Sequence, residues 1–176
     1  MASELINDLK KWASDFSQTP TDGDEAPLKG AVSLISRNFS VRPHEVAILG
    51  LTPDKKSLRF LAPENLRAVG QIPLSSTNSL AARTVREKRP EIINHFSVVP
   101  HASVFEAVPI TEDQRGEAIQ KIMSSPIVSG GQVIGVLQIS RKGRVAVDAG
   151  ADFTYPQLRE LKTISDALAP CIHRFE

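Results

Sequence analysis

The chain of 176 residues contains a single cysteine, Cys171. That excludes an internal disulfide, a Cys-x-x-Cys redox pair and a thiolate-rich zinc site, and it fits a reducing cytoplasm. Excess charge is missing too: 21 Lys and Arg stand against 20 Asp and Glu, a formal net charge of +1. Such a balance gives no broad electrostatic attraction to nucleic acid or to an acidic membrane surface. No apolar run approaches the length that crosses a bilayer, and the opening MASELINDLKKWASDF interrupts its apolar positions with charges, unlike the core of a signal peptide. Repeats and low-complexity tracts are absent. What is present, 41% hydrophobic residues, suffices for one domain that buries roughly 70% of its unfolded surface. The expectation is a soluble, cytoplasmic, single-domain protein without cofactor, metal, nucleic-acid or membrane partner.

Periodicity orders the elements. Ser3 is placed to cap a helix whose Leu5, Leu9, Trp12 and Phe16 form one stripe. TPTDGDEAP (19–27) reads as a linker, with Pro27 in the first turn of a second helix that buries Leu28, Ala31, Val32, Ile35 and Phe39. HEVAILGL (44–51) and SLRFLA (57–62) read as a hairpin across the turn TPDKK. A short strand at Ile72-Pro73-Leu74 precedes a helix with Leu80, Ala81, Thr84 and Val85 on one face, ended by Pro90, and EIIN (91–94) reads as a brief strand. About two dozen residues without a firm period follow, of the kind that form lids or binding loops. IQKIMSSPIV (119–128) and QVIGVLQIS (132–140) flank Ser129-Gly130-Gly131, a hairpin turn that glycine makes easy. Strict alternation predicts Val133, Leu137 and Ile139 on one face of the second strand and Ile134 and Val136 on the other, hence a central strand covered on both sides. The closing helix carries a capping box, Thr154-x-x-Gln157, an early Pro156, and a buried stripe of Leu158, Leu161, Ile164 or Ser165, Leu168 and Ile172; Pro170 is expected to kink or end it. Hairpin-linked strands between terminal helices predict an α+β domain on an antiparallel sheet.

Several clusters invite chemistry. Arg141-Lys142-Gly143-Arg144 lacks the glycine cradle and following helix of a phosphate loop, so it reads as the solvated end of a strand. Ser75-Ser76-Thr77-Asn78-Ser79 opens a helix, where free N–H groups favour anions or carbonyl oxygens, although Ser, Thr and Asn are also the ordinary caps. His95, His101 and Glu106 match no metal-ligand spacing and are expected in a surface loop; a histidine facing a pocket remains the alternative. Val104 and Phe105 are expected to plug a pocket roof. Ser124-Ser125-Pro126 puts small polar groups in a strand, as ligand contacts or as plain sheet geometry. No Ser-His-Asp set or carboxylate pair can be assembled, and no enzyme is expected.

Three blocks, IPLSSTNSLAARTVREKRPEIIN, KIMSSPIVSGGQVIGVLQISRKG and FTYPQLRELKTISDAL, resemble the signature blocks of a GAF domain in order and spacing, the likeness running from about Val41 to Ile172. The resemblance implies a profilin-like central antiparallel sheet of about six strands, terminal helices on one face, and pocket helices and a lid loop on the other. It implies an N-terminal helix and linker at 1–26 and the domain at 27–176. Cyclic-nucleotide-binding members carry Asn-Lys, a later Phe and then Asp-Glu, where this chain has Arg141-Lys142, Phe153 and Gln157-Leu158. Bilin attachment and methionine-sulfoxide reduction need cysteines in the pocket region, and Cys171 is expected on the closing helix instead. The resemblance thus implies a cytoplasmic sensor that holds a small molecule non-covalently and acts through a homodimer or a separate output protein, there being no room here for an output domain; the alternative is a ligand-free interaction module. Ligand contacts are expected from Ser76, Ser79, Leu80, Arg83, His95, Phe105, Ser124 and Ser125, and dimer contacts from Leu5, Leu9, Trp12 and Phe16 with Leu161 and Leu168.

Overall fold

The computed structural model describes residues 2–18, 28–98 and 117–175. Helix α1 spans Ala2–Gln18 and α2 Lys29–Phe39. Strands β1 (Val46–Leu51), β2 (Ser57–Ala62) and β3 (Gln71–Pro73) form a meander, followed by α3 (Leu80–Glu87) and β4 (Glu91–Ile93). The long strands β5 (Ala118–Ser129) and β6 (Gln132–Gly143) and the helix α4 (Tyr155–Ile172) complete the chain. One sheet in the order β3-β2-β1-β6-β5-β4 results, every pair antiparallel. The last strand thus returns beside the first and closes the sheet centre.

Local sequence explains most boundaries. Thr154 caps α4 by accepting from the Gln157 amide, while the Gln157 side chain accepts from the Thr154 amide, the reciprocal box that the sequence predicts. Gly130 and Gly131 both take positive φ, 55° and 77°, in the two-residue turn of the β5–β6 hairpin. Ser3 does not cap α1, which already begins at Ala2. Pro27 lies outside the described residues, and Leu28 takes the N-cap place of α2. Residues Pro43–Glu45 form a 3-10 turn, so β1 starts at Val46 rather than at His44. Pro170 sits inside α4, which runs on only to Ile172 before a 3-10 turn at His173–Phe175.

The sheet is covered on both sides. On one, α2 and α4 lie against the strands and α1 packs on these two helices. Leu9, Ile35, Ile48, Met123, Ile127, Leu137, Ile139, Leu161, Ile164 and Leu168 are fully buried there, each contributing about 1.5–3 kcal/mol of hydrophobic stabilisation. On the other side α3 seals a smaller core of Leu49, Leu58, Phe60, Ala82, Val85 and Val136.

The faces of β6 depart from simple alternation. Ile127 pairs with Gly135 but Val128 with Val133, leaving Ile134 as an extra residue in the hairpin. This bulge reverses the phase: Ile134 joins Leu137 and Ile139 in the helix-side core, and Val133 joins Val136 under α3.

Candidate functional site

A row of polar side chains crosses the α3 face. Register places Glu91 opposite Ser124 and Ser124 opposite Gln138, so β4, β5 and β6 each contribute one. Above them, the Thr84 hydroxyl donates to the Leu80 carbonyl at 2.8 Å and meets the Ser124 hydroxyl at 2.7 Å, while the Gln138 amide donates to Ser124 at 3.1 Å. Each hydroxyl has one proton. Since Thr84 gives its proton to Leu80, Ser124 must give its own to Thr84, and the direction Gln138 to Ser124 to Thr84 to Leu80 is fixed. Both hydroxyls are buried with their protons committed. Beside this relay Arg83 grips Glu91 through two hydrogen bonds of 2.9 and 3.2 Å, docking α3 onto the β4 edge.

The predicted ligand contacts fare unequally. Leu80 and Arg83 lie on α3 and Ser124 on the strand beneath it, but Ser124 is wholly buried and has no proton to offer a ligand, because the fold uses it. Ser125 points to the opposite face, in phase with Met123 and Ile127, where its hydroxyl is buried without a hydrogen-bond partner. Adjacent residues of a strand cannot serve one site. Ser79 caps α3 by accepting from the Ala82 amide at 3.2 Å, and Ser76 bonds Asn78 at 2.8 Å. His95 is exposed just beyond β4. Phe105 lies outside the described residues, as do His101, Val104 and Glu106. Among the dimer candidates, Leu5, Leu9, Leu161 and Leu168 are buried within one chain, which leaves them no area for a second. Trp12 and Phe16 stack at 5.0 Å and stay half-buried, Phe16 continuing the stack onto Phe175 at 6.2 Å.

Apolar side chains wall the region between α3 and β4. Leu80, Ile93, Phe96 and Ile122, with Ile119 packed against them, form a third cluster separate from the two larger cores. It adjoins both ends of the segment 99–116, since Phe96 precedes that segment and Ile119 follows it.

The basic cluster at the end of β6 turns out to be structural, though not as a solvated strand end. Arg141, Lys142 and Gly143 are still in the strand, paired with β5. Arg141 lies over the Phe153 ring at 4.8 Å and donates to the Phe39 carbonyl at 3.4 Å. Lys121, its cross-strand neighbour, reaches the Gly150 carbonyl at 2.5 Å and Asp152 at 2.8 Å. Together they pin the β6–α4 connection, which Asn94, just beyond β4, clamps by two bonds to the Phe153 backbone, 2.9 and 3.0 Å.

At the same end of the sheet, Arg42 pairs with Glu45 at 2.8 Å and Glu117 at 2.9 Å. Burial works to raise the Glu45 carboxyl, but the Arg42 guanidinium and the Lys142 and Arg42 amides outweigh it and hold the pKa below the usual range. Burial lowers the His44 pKa, and the Arg42 and Lys142 charges lower it further. No group of three or more metal-ligating side chains occurs among the described residues, and among them no helix is long and apolar enough to cross a membrane.

Sequence reasoning passed over Thr84, which looked like a member of an apolar helical face. It also passed over Gln138, whose signal was that it is the one polar residue within VIGVLQI.

The family model described as GAF domain matches residues 28–173. No curated protein sequence matches the chain. Solved structures similar in fold include the GAF domain of an Acinetobacter phosphoenolpyruvate-protein phosphotransferase, at 15% identity and TM-score 0.65, covering 97% of this chain and 94% of that one. The A. aeolicus nlh2 GAF domain in an inactive state is similar at 15% identity and TM-score 0.60, over 99% and 96%. A Neisseria meningitidis free methionine-R-sulfoxide reductase in complex with its substrate is similar at 14% identity and TM-score 0.62, over 98% and 90%.

Proposed function

The chain belongs to the GAF domain family, and on that premise we propose that it is a sensory or regulatory domain that holds a small molecule non-covalently on the α3 face of the sheet. The observation that carries this reading is the separate apolar wall of Leu80, Ile93, Phe96 and Ile122 beside the first turn of α3. Ser76, Ser79 and Arg83 would supply the polar contacts beside that wall. A chemical role for the cysteine has no support, because the one thiol, Cys171, is buried on α4 and burial pushes it up to about 11. The reading is thus of a cytoplasmic sensor, not an enzyme, that signals through a separate output protein or its own dimer.

Native and denatured mass spectra of the gently purified protein test this. The expected result is a small mass that leaves on denaturation and is absent from a folded Leu80→Trp variant, whose indole would fill the space beside the wall. Bare polypeptide in both, together with no binder in a thermal-shift screen of small molecules, would overturn it.

A second reading, a ligand-free interaction module, draws on the half-buried stack of Trp12, Phe16 and Phe175. It requires that Phe16→Glu abolish self-association or partner binding while Leu80→Trp leaves both unchanged.

A further inference from the structure

Gln138 stands out from its surroundings on the α3 face. It is the polar residue within VIGVLQI and lies half-buried between Ala47 on β1 and Ser124 on β5. The hydroxyl relay fixes which way its amide is turned. Ser124 gives its proton to Thr84, so it meets Gln138 only as an acceptor, and Nε2 must be the atom that faces it, at 3.1 Å. Oε1 is therefore turned away from Ser124. It has no hydrogen-bond partner among the described residues, yet it is not one of the buried unpartnered atoms, so a ligand can reach it. We propose, resting on the reading of an α3-face ligand, that Gln138 Oε1 is the acceptor that selects this ligand, and that the ligand is a neutral molecule presenting an N–H donor from an apolar ring, of the lactam type.

Register puts this acceptor beside the apolar wall. Ile122 lies two residues along β5 from Ser124 on the same face and pairs with Ser140, which makes it a diagonal neighbour of Gln138. Leu80, whose carbonyl ends the relay, belongs to the same wall. On the other flank Ala47 carries only a methyl group, so β1 offers little to shield the amide. Arg83 and Glu91 on this face are bound to each other, so a charged ligand gains little from them. A hydrocarbon would satisfy the wall but strip water from Oε1 without replacing its hydrogen bond. A lactam places an N–H donor on an apolar ring, and its adjacent carbonyl accepts the second Nε2 proton, which Ser124 does not use. Ser124 orients the amide without selecting the ligand: in its absence a ligand donor would itself draw Oε1 round, so the selectivity rests on Gln138.

NMR titration of the protein with isoquinolin-1-one, a lactam, and with isocoumarin, the lactone of the same shape with oxygen in place of N–H, tests the proposal. The lactam is expected to bind at least about tenfold more tightly than the lactone. Gln138→Leu keeps Ser124 bonded to Thr84 while removing the acceptor, and should bring the two probes to equal affinity; a merely structural role would weaken both alike. Leu80→Trp should abolish binding of both. Equal affinities in the unaltered protein, a lactam preference that survives in a folded Gln138→Leu protein, or lactam binding untouched by Leu80→Trp would each overturn the proposal. Absence of lactam binding would overturn it too, and the mass spectra then separate two failures: a departing mass that Leu80→Trp removes would leave an α3-face ligand of another class, whereas bare polypeptide would take the α3 reading down with it.

Discussion

Cys171 is buried on α4, and its thiol, pushed up to about 11, is almost wholly protonated at neutral pH. Ellman's reagent should therefore label the native protein orders of magnitude more slowly than the urea-unfolded chain, and fast native labelling would contradict the packing. Gly30 is a second residue with a measurable role. A methyl group there would sit 2.4 Å from the Trp12 indole nitrogen, so α1 crosses α2 where only glycine leaves room. Gly30→Ala gains up to about 1 kcal/mol of helix propensity but must push the indole off its Phe16 stack, an overpacking cost of about 1–3 kcal/mol. Trp12 is the only tryptophan, so a red-shifted emission and a lower Tm are expected together; unchanged emission would show that the indole tolerates the methyl.

At the scale of elements, α3 is fastened to the sheet by the Gln138–Ser124–Thr84 relay and by the Arg83–Glu91 fork. Ser124→Ala removes the middle of the relay and should cost about 1–3 kcal/mol in urea unfolding without altering ligand affinity, since that hydroxyl has no proton left for a ligand. A loss of affinity with unchanged stability would reassign Ser124 to ligand contact. The β1–β6 pair depends on Gly135 in the same way. An added Cβ would lie 2.3 Å from the Leu49 carbonyl oxygen, a backbone atom that cannot turn aside. Gly135→Ala should therefore separate the two central strands and cost upward of about 3 kcal/mol, read as loss of the folded fraction.

For the whole molecule, acid should be the sensitive direction. His44 and Glu45 both have folded pKa values below their unfolded ones, about 6.5 and 4.3. Between folded and unfolded values the unfolded chain binds more protons, so both contributions are complete above the unfolded pKa and are lost as pH falls through the folded one. Tm should decline first below about 6.5 through His44 and again below about 4.3 through Glu45. Glu45→Gln should lower Tm at neutral pH and flatten the second limb; an unaltered acid limb would mean that other carboxylates carry it.

Much of this was legible in the chain. The order of helices and strands, the glycine turn, the Thr154–Gln157 box and the buried stripe of α4 follow from local periodicity and capping, which act over a few residues and so leave a mark in the sequence. The likeness to GAF domains rests on the same blocks. Local pattern failed where a feature depended on register. The bulge at Ile134 arises from how β6 meets β5, and it turned Val133 to the face that alternation denied it. Arg141 looked like a solvated end because nothing near it in sequence shows Phe153 beneath its guanidinium. The leucines of α1 and α4 promised a dimer because apolar stripes do not state what covers them, and each helix proved to cover the other. Arg59, Arg67 and Arg174 line one cleft only because β2, the turn after it and the 3-10 turn after α4 meet in space. By itself the sequence determined the elements and their buried faces, since those rest on neighbours along the chain; the tertiary structure alone decided which polar groups are spent on the fold and which guanidinium groups gather in one cleft, since both rest on contacts between segments far apart.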